Sequence, residues 1–410
     1  MLAGAGLAAH SYATVLRNKR FLALLCGQAT SRLGDAIYRL ALAWGITELT
    51  GSAAVLGVVL FLSVVPPFVL SLLGGAVGDI ASRRQVLLVA DLAMAAMTLT
   101  VAFLVNVNTL AIVAMGSLAV AYGVADAFAQ PALGALVPEV VEASQLTAAN
   151  ALSTMARQVA SLAGPGAGAV VLATGGLRTA FAIDSASFMA SAILLLFVPS
   201  TAPARSAGES VMRKIVAGIH FIVGQRWLWM MIVLLALQNG LNSGPWGAAL
   251  PLLVKVGMRD GSSALAALYA VAALGALLVT LSIGGFGRKL HRRGIAMWST
   301  VVLSGICLAL MGLHPQFELA VVLALFRGMA VGFGTVVSLT MVQQLVPREF
   351  LGRVISVAGL ATGTTLPIGF AFAGLLADRL GPQGAFAAFG VALIAVGIMG
   401  LALRPTRQVG

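Results

Sequence analysis

The chain contains twelve apolar runs in succession, and this pattern constrains its fold more than anything else. They fall at roughly 21–48, 53–78, 85–106, 109–130, 148–173, 179–198, 227–254, 264–287, 294–313, 317–342, 351–377 and 383–403. A helix needs about 20 mostly apolar residues to cross a bilayer, so each run is a candidate membrane span. Strands are a poor fit, because a membrane strand is about ten residues of alternating polarity. Composition excludes the soluble alternative. Only 9% of residues are charged and 60% are hydrophobic, whereas a soluble domain carries about 25% charged residues. The predicted fold is an all-α integral membrane protein of twelve transmembrane helices.

The net charge of +12 is a membrane signature and does not point to nucleic acid. With the N-terminus placed inside, the cytoplasmic loops and ends receive Arg17, Lys19, Arg20, Arg83, Arg84, Arg205, Arg213, Lys214, Arg226, Arg288, Lys289, Arg292, Arg293, Arg348, Arg353, Arg404 and Arg407. The other side receives Arg178, Lys255, Arg259 and Arg379. This asymmetry puts both termini in the cytoplasm and the chain in the cell's inner membrane. Residues 1–16 do not read as a cleavable signal, because the first apolar run follows Arg17, Lys19 and Arg20 directly. Cys26 and Cys307 lie in different runs and are expected to be buried free thiols.

The runs divide into two halves. Gly78-Asp-Ile-Ala-Ser-Arg83-Arg84 recurs as Gly287-Arg-Lys-Leu-His-Arg292-Arg293, and Leu136-Val137-Pro138-Glu139 recurs as Leu345-Val346-Pro347-Arg348. Both matches share one offset, 209 residues, which is the signature of a parallel repeat. The predicted organisation is a six-helix half over 1–198, a linker over 199–226 and a second six-helix half over 227–410. The linker opens with Pro199-Ser-Thr-Ala-Pro, a flexible composition. It continues with Val211, Ile215, Ile219 and Ile222 at helical spacing, predicting an amphipathic helix on the inner membrane face.

Ionisable groups at membrane depth are costly and point to function. The first span carries Gln28, Arg32, Asp35 and Arg39 in steps of four, three and four, one polar stripe on one helix face. Such a stripe must face polar partners or a water-filled path. Asp35 can reach both arginines on its own helix. It is the leading candidate to carry a proton, although that pairing must loosen first. Asp126 is the next candidate, with pairing to Arg83 or Arg157 as its simpler role. Asp91 is expected to be structural, and Asp184 to be a gate residue or solvated. In the second half, Arg327 lies alone at mid-depth and needs an acid, carbonyls or an anionic substrate. Gln238, Asn239 and Asn242 offer neutral hydrogen bonds, and Gly244-Pro245 is expected to bend or break its helix.

Two motifs carry a family likeness. Gly75-Ala-Val-Gly-Asp79-Ile-Ala-Ser-Arg83-Arg84 resembles the G-x-x-x-D-R/K-x-G-R-R loop of the major facilitator superfamily, with Ile80 and Ser82 departing from it. Gly164-Pro165-Gly166-Ala167-Gly168 is similar to its G-P-x-x-G-G antiporter motif, with Ala169 in place of the last Gly. Gly27-Gln28, Gly34-Asp35, Leu49-Thr50-Gly51-Ser52, Ala149-Asn150-Ala151-Leu152, Gly352-Arg353-Val354 and Ala377-Asp378-Arg379-Leu380-Gly381 resemble the enterobactin-exporter and macrolide-efflux branch. The resemblance implies a conformational latch at Gly75, Asp79, Arg83 and Arg84. At Gly164, Pro165 and Gly168 the small residues and the proline predict a closely packed, bent helix, and the resemblance implies an exporter rather than an importer.

These readings converge on a secondary transporter that exports a small amphipathic compound by alternating access, with protons as coupling ion. Its partners would be that compound, protons and membrane lipids, and the chain is expected to act as a monomer. Alternatives are a lipid or lysophospholipid flippase of the same fold and a non-transporting scaffold or sensor. No phosphate-binding G-x-x-x-x-G-K-[ST] loop, metal-ligand spacing or nucleophile–base pair stands out, so no cofactor, no metal, no nucleic acid and no enzymatic activity is expected.

Overall fold

The computed structural model describes residues 14–78, 82–105, 108–142, 145–199, 219–286 and 292–407. These residues form helices and, among them, no strand. The helices are α1 (Lys19–Thr50), α2 (Ala53–Gly78), α3 (Arg83–Leu104), α4 (Asn108–Val140), α5 (Leu146–Leu195), α6 (Arg226–Gly244), α7 (Ser262–Phe286), α8 (Arg293–Leu313), α9 (Phe317–Leu345), α10 (Arg348–Ala402) and the short α11 (Arg404–Arg407).

Two of these are double. Gly176 at φ 68° breaks α5, and Gly381 at φ 76° breaks α10. Left-handed backbone of this kind suits glycine, which has no Cβ to clash. Counting each broken helix as two gives twelve long segments among the described residues, matching the twelve runs. Among the described residues, seven helices are long and apolar enough to cross a membrane by length and composition. The fourth run extends further than expected, to Val140, with Pro131 and Pro138 inside it.

Contacts divide the chain into two compact units. One is Met1–Leu49 with Leu62–Ser206, and the other is Thr50–Phe61 with Ala207–Gly410. In the first, α3 packs on α4 and α5; in the second, α8 packs on α9 and α10, α7 on α9, and α6 on α10. Thr50–Phe61 joins the second unit for a local reason. Ser52 Oγ donates to Asp378 Oδ2 at 2.5 Å and the Ala53 amide donates to Asp378 Oδ1 at 2.8 Å.

Lipid tails are as apolar as leucine, so packing rather than water exclusion holds such helices together. Small residues accordingly mark the closest approaches. Gly27 and Gly34 of α1 lie against Ser191, Ser187 and Asp184 of α5. Gly328 and Gly332 of α9 lie against the backbone of Ala272 and Ala276 on α7.

Three expectations are adjusted. At Gly244–Pro245 the helix does not break. It continues through π-helical turns at Pro245–Ala249 and Leu253–Met258, because a proline without an N–H shifts the hydrogen-bond ladder. Cys307 is buried, but Cys26 is exposed: an apolar run does not distinguish a protein interior from a lipid-facing surface. Of the predicted linker helix, Ile219 and Ile222 fall in a helical turn, where Phe221 stacks on Phe350 at 4.3 Å; Val211 and Ile215 lie outside the described residues.

Candidate transport site

In the first unit the polar stripe of α1 borders a cavity of about 50 Å³. Gln28, Arg32 and Asp35 line it from α1, Asp91 from α3, and Tyr122, Asp126 and Gln130 from α4. A water fills about 10–15 Å³ on this measure, so the cavity has room for about three to five waters. It is too small for an amphipathic compound. Arg39, the last member of the stripe, is exposed and does not line the cavity.

The structure revises the expected pairings. Asp35 makes no ion pair with Arg32 or Arg39, and its buried Oδ1 has no hydrogen-bond partner. The two arginines share its helix face without coming within ion-pair distance. Asp126 pairs with neither Arg83 nor Arg157; it accepts from Gln130 at 3.3 Å. Arg83 instead pairs with Glu139 and donates to the Ala135 carbonyl at 3.1 Å. Arg157 donates to Thr154 Oγ1 at 3.1 Å. Asp91 lines the same cavity, and its buried Oδ2 has no hydrogen-bond partner.

Asp184 departs furthest from expectation. It is 0% exposed, neither solvated nor at a surface. Its Oδ2 accepts from the Tyr122 hydroxyl and its Oδ1 has no partner. Tyr122 is held in place by stacking flat on Tyr38, centroids 4.0 Å apart, and by an edge contact with Phe188. The sequence reading passed over both tyrosines. The chain has only 4, and tyrosine ordinarily sits at membrane interfaces. Finding three of these inside the spans, at 38, 122 and 269, was the signal available.

The second unit contains a different arrangement. Arg327 of α9 is 6% exposed. It donates to the Asn242 carbonyl at 3.1 Å and lies 3.9 Å above the Trp246 ring. Tyr269 stands edge-on to Trp246 and donates to its carbonyl at 2.9 Å. Ser304 donates to the Asn242 side chain at 3.0 Å. Of the partners expected for Arg327, a carbonyl is realised and no described carboxylate pairs with it; the Trp246 ring is an addition. Its Nε is buried and unpartnered. Asn239 is committed to the Thr362 carbonyl at 2.9 Å, and Gln238 is half-buried on the same helix. Trp246 was missed because the Gly-Pro before it reads as a helix breaker.

The two motifs place as follows. Asp79 lies outside the described residues, and Gly75 falls within α2. Ser82, which departs from the family pattern, caps α3: its Oγ accepts from the Gln85 amide at 3.3 Å while Gln85 Oε1 accepts from the Ser82 amide. Arg84 follows within α3, half-buried. Gly164 sits on Ala36 and Gly168 on Ile37 and Leu40, so this stretch of α5 lies close along α1, with Pro165 between them.

Among the described residues, a bundle of apolar helices holds buried charges and a small polar cavity, the architecture of a multi-pass membrane protein. Residues 10–408 match the transmembrane secretion effector family of the major facilitator superfamily, and the chain belongs to it. It is 26% identical over 386 residues to macrolide efflux protein A of Streptococcus pyogenes, covering 93% of this chain and 95% of that protein. It is 26% identical over 406 residues to the multidrug efflux pump Tap of Mycolicibacterium fortuitum, covering 94% and 96%. Among solved structures, the nucleoside transporter NupG matches with a TM-score of 0.74 at 14% identity, over 93% of this chain and 98% of that one. A bacterial homologue of the iron transporter ferroportin in an inward-facing state matches with 0.73 at 16% identity, over 95% and 100%. These structural likenesses establish the fold.

Proposed function

We propose that this protein exports a small amphipathic compound across the cell's inner membrane by alternating access, driven by proton entry. Both termini would face the cytoplasm, as the loop charges favour. The single observation that carries the proton half is the cavity in the first unit. It is lined by Asp35, Asp91 and Asp126, holds a few waters and is too small for an organic substrate. A site of that kind is suited to protons.

Substrate recognition falls to other groups. Arg327, with its unpartnered Nε and the Trp246 ring beside it, suits a substrate with an aromatic or acidic group. Asn242, Asn239 and Gln238 lie on the helix running into Trp246. Arg32, Arg39 and Arg157 supply positive charge in the first unit. Relatives named for macrolide, multidrug and enterobactin export support the direction and the substrate class. The latch role of Gly75, Asp79, Arg83 and Arg84 and the close-packing role of Gly164, Pro165 and Gly168 belong to the same proposal. The protein is taken to work as a monomer among membrane lipids.

The test uses inverted membrane vesicles, radiolabelled erythromycin and an imposed pH gradient. Gradient-dependent uptake into the vesicles is expected. Uptake that survives full collapse of both the gradient and the potential would overturn proton coupling. Movement of fluorescent lysophospholipid but of no drug would overturn the substrate class in favour of lipid.

A further inference from the structure

Asp184 is a second buried carboxyl that the transport cycle, as described so far, leaves unused. It is fully buried on α5. The charged and titratable groups around it are few. Tyr122 of α4 donates to it, Tyr38, Asp35 and Arg39 of α1 face it, and Ser187 neighbours it on its own helix. None of the described cations lies within ion-pair distance. An ionised carboxylate in such a place is expensive, and a carboxyl that is not neutralised by a cation is neutralised by a proton.

The position relative to Asp35 matters most. Asp184 Oδ1 lies against the α1 backbone at Gly34, the residue immediately before Asp35; a Cβ on Gly34 would come within 2.7 Å of it. Asp35 faces Arg32 and Arg39 on its own helix, Asp126 and Tyr122 on α4, Asp91 on α3 and Asp184 on α5. Two acids on adjoining helices, each with a buried oxygen and no paired cation, do not both ionise readily. The Tyr122 hydroxyl donates to Asp184, and Tyr122 lines the cavity that Asp35 also lines. Asp184 does not line it. Water in the cavity therefore reaches Asp35 directly, and Asp184 is reached through Tyr122.

We infer that Asp35 and Asp184 hold one proton between them, and that Tyr122 relays it from the cavity-facing carboxyl to the buried one. The transfer balances without any other reactant. The Tyr122 O–H passes its proton to Asp184 Oδ2 as the Tyr122 oxygen takes the proton of Asp35. Two O–H bonds break and two form. Asp35 is left as a carboxylate facing Arg32 and Arg39, and Asp184 is left neutral. This gives Asp35 a way to become charged while the proton stays in the protein. The inference rests on the proton-coupled reading of the site and adds two residues to it.

The test is infrared difference spectroscopy of the full-length protein in liposomes, following the C=O stretch of protonated carboxyls across a pH titration. Asp184→Asn and Asp35→Asn, close in shape to the native side chains, should each remove or shift the same titrating band. Tyr122→Phe should shift it, because the hydroxyl joining the two carboxyls is gone. Asp184→Glu should restore a band at a changed position. A spectrum unchanged by Asp184→Asn, or a band lost only in Asp35→Asn, would overturn the relay. Erythromycin uptake under a pH gradient separates the two claims. Gradient-driven uptake retained in both Asp184→Asn and Tyr122→Phe but lost in Asp35→Asn would overturn the relay and leave proton coupling intact. Uptake indifferent to the gradient, with a band that still answers to Asp184→Asn, would leave the shared proton standing and remove its role in transport.

Discussion

The first unit buries acids without paired cations, and the second buries a cation without a paired acid. Asp35, Asp91 and Asp184 lie in one, and Arg327 lies in the other, stacked on Trp246. The two halves share two short motifs at one offset, so they can be compared position by position. At the repeat offset of 209, Asp91 corresponds to Thr300, Asp126 to Thr335 and Arg327 to Leu118. The frame itself is retained: α5 and α10 are each broken at a left-handed glycine, and α3 and α8 each pack on the two helices that follow. What was divided between the halves is the chemistry. Acids and water can handle a proton. An always-charged guanidinium beside an indole cannot, but it can hold an anion or an aromatic ring.

Moving charge to the equivalent place is the strongest way to break this comparison. Leu118 is fully buried on α4. If the second unit's tolerance of arginine comes from its local partners, Leu118→Arg should cost about 3–5 kcal/mol. It should appear as loss of monodisperse protein in detergent. Near-native yield would show that the halves are interchangeable.

Close packing should separate the units next. A Cβ on Gly328 meets the Ala272 carbonyl, which is backbone, whereas one on Gly34 meets the side chains of Ser187 and Asp184. Gly328→Ala is expected to cost about 2–3 kcal/mol because helices must part. Gly34→Ala is expected to cost less in melting temperature but to impair gradient-driven uptake more, because it displaces Asp184. Equal effects on both measurements would remove the distinction.

Arg327→Met tests the second unit alone. A buried unpaired cation contributes little stability, so the thermal midpoint should hold or rise, by about 1 kcal/mol at most, while erythromycin uptake falls. A marked fall in the midpoint would make Arg327 a structural residue. The smallest effect belongs to the first unit's rim: Asp126 is exposed and held by Gln130, so Asp126→Asn should change stability by less than about 0.5 kcal/mol in a thermal melt.

Much of this was legible in the residues. Runs of about 20 apolar residues mark spans because lipid leaves a helix no other way to satisfy its backbone. The Gln28–Arg32–Asp35–Arg39 stripe was legible because helical periodicity alone places those residues on one face. The pairing within it was not. Periodicity says that Asp35 can approach Arg32 and Arg39, but rotamers and neighbouring helices decide whether it does. Asp184 was misplaced because depth was judged along its own helix, and exposure depends on what packs beside it.

The sequence by itself therefore determined the helices, their number, the repeat offset and the residue types that carry charge into the membrane. Those follow from local rules: length, periodicity and the cost of an exposed peptide group in lipid. Only the tertiary structure decided which charges meet. Asp35, Asp91, Tyr122 and Asp184 come from four helices spread over about 150 residues of chain. They converge because small residues such as Gly34 let α1 and α5 close together. Trp246 lies beneath Arg327 because π-helical turns after Gly244 carry the chain past Pro245 without a break. No pattern along one strand of sequence records contacts of that kind, since each depends on the facing surface of another helix.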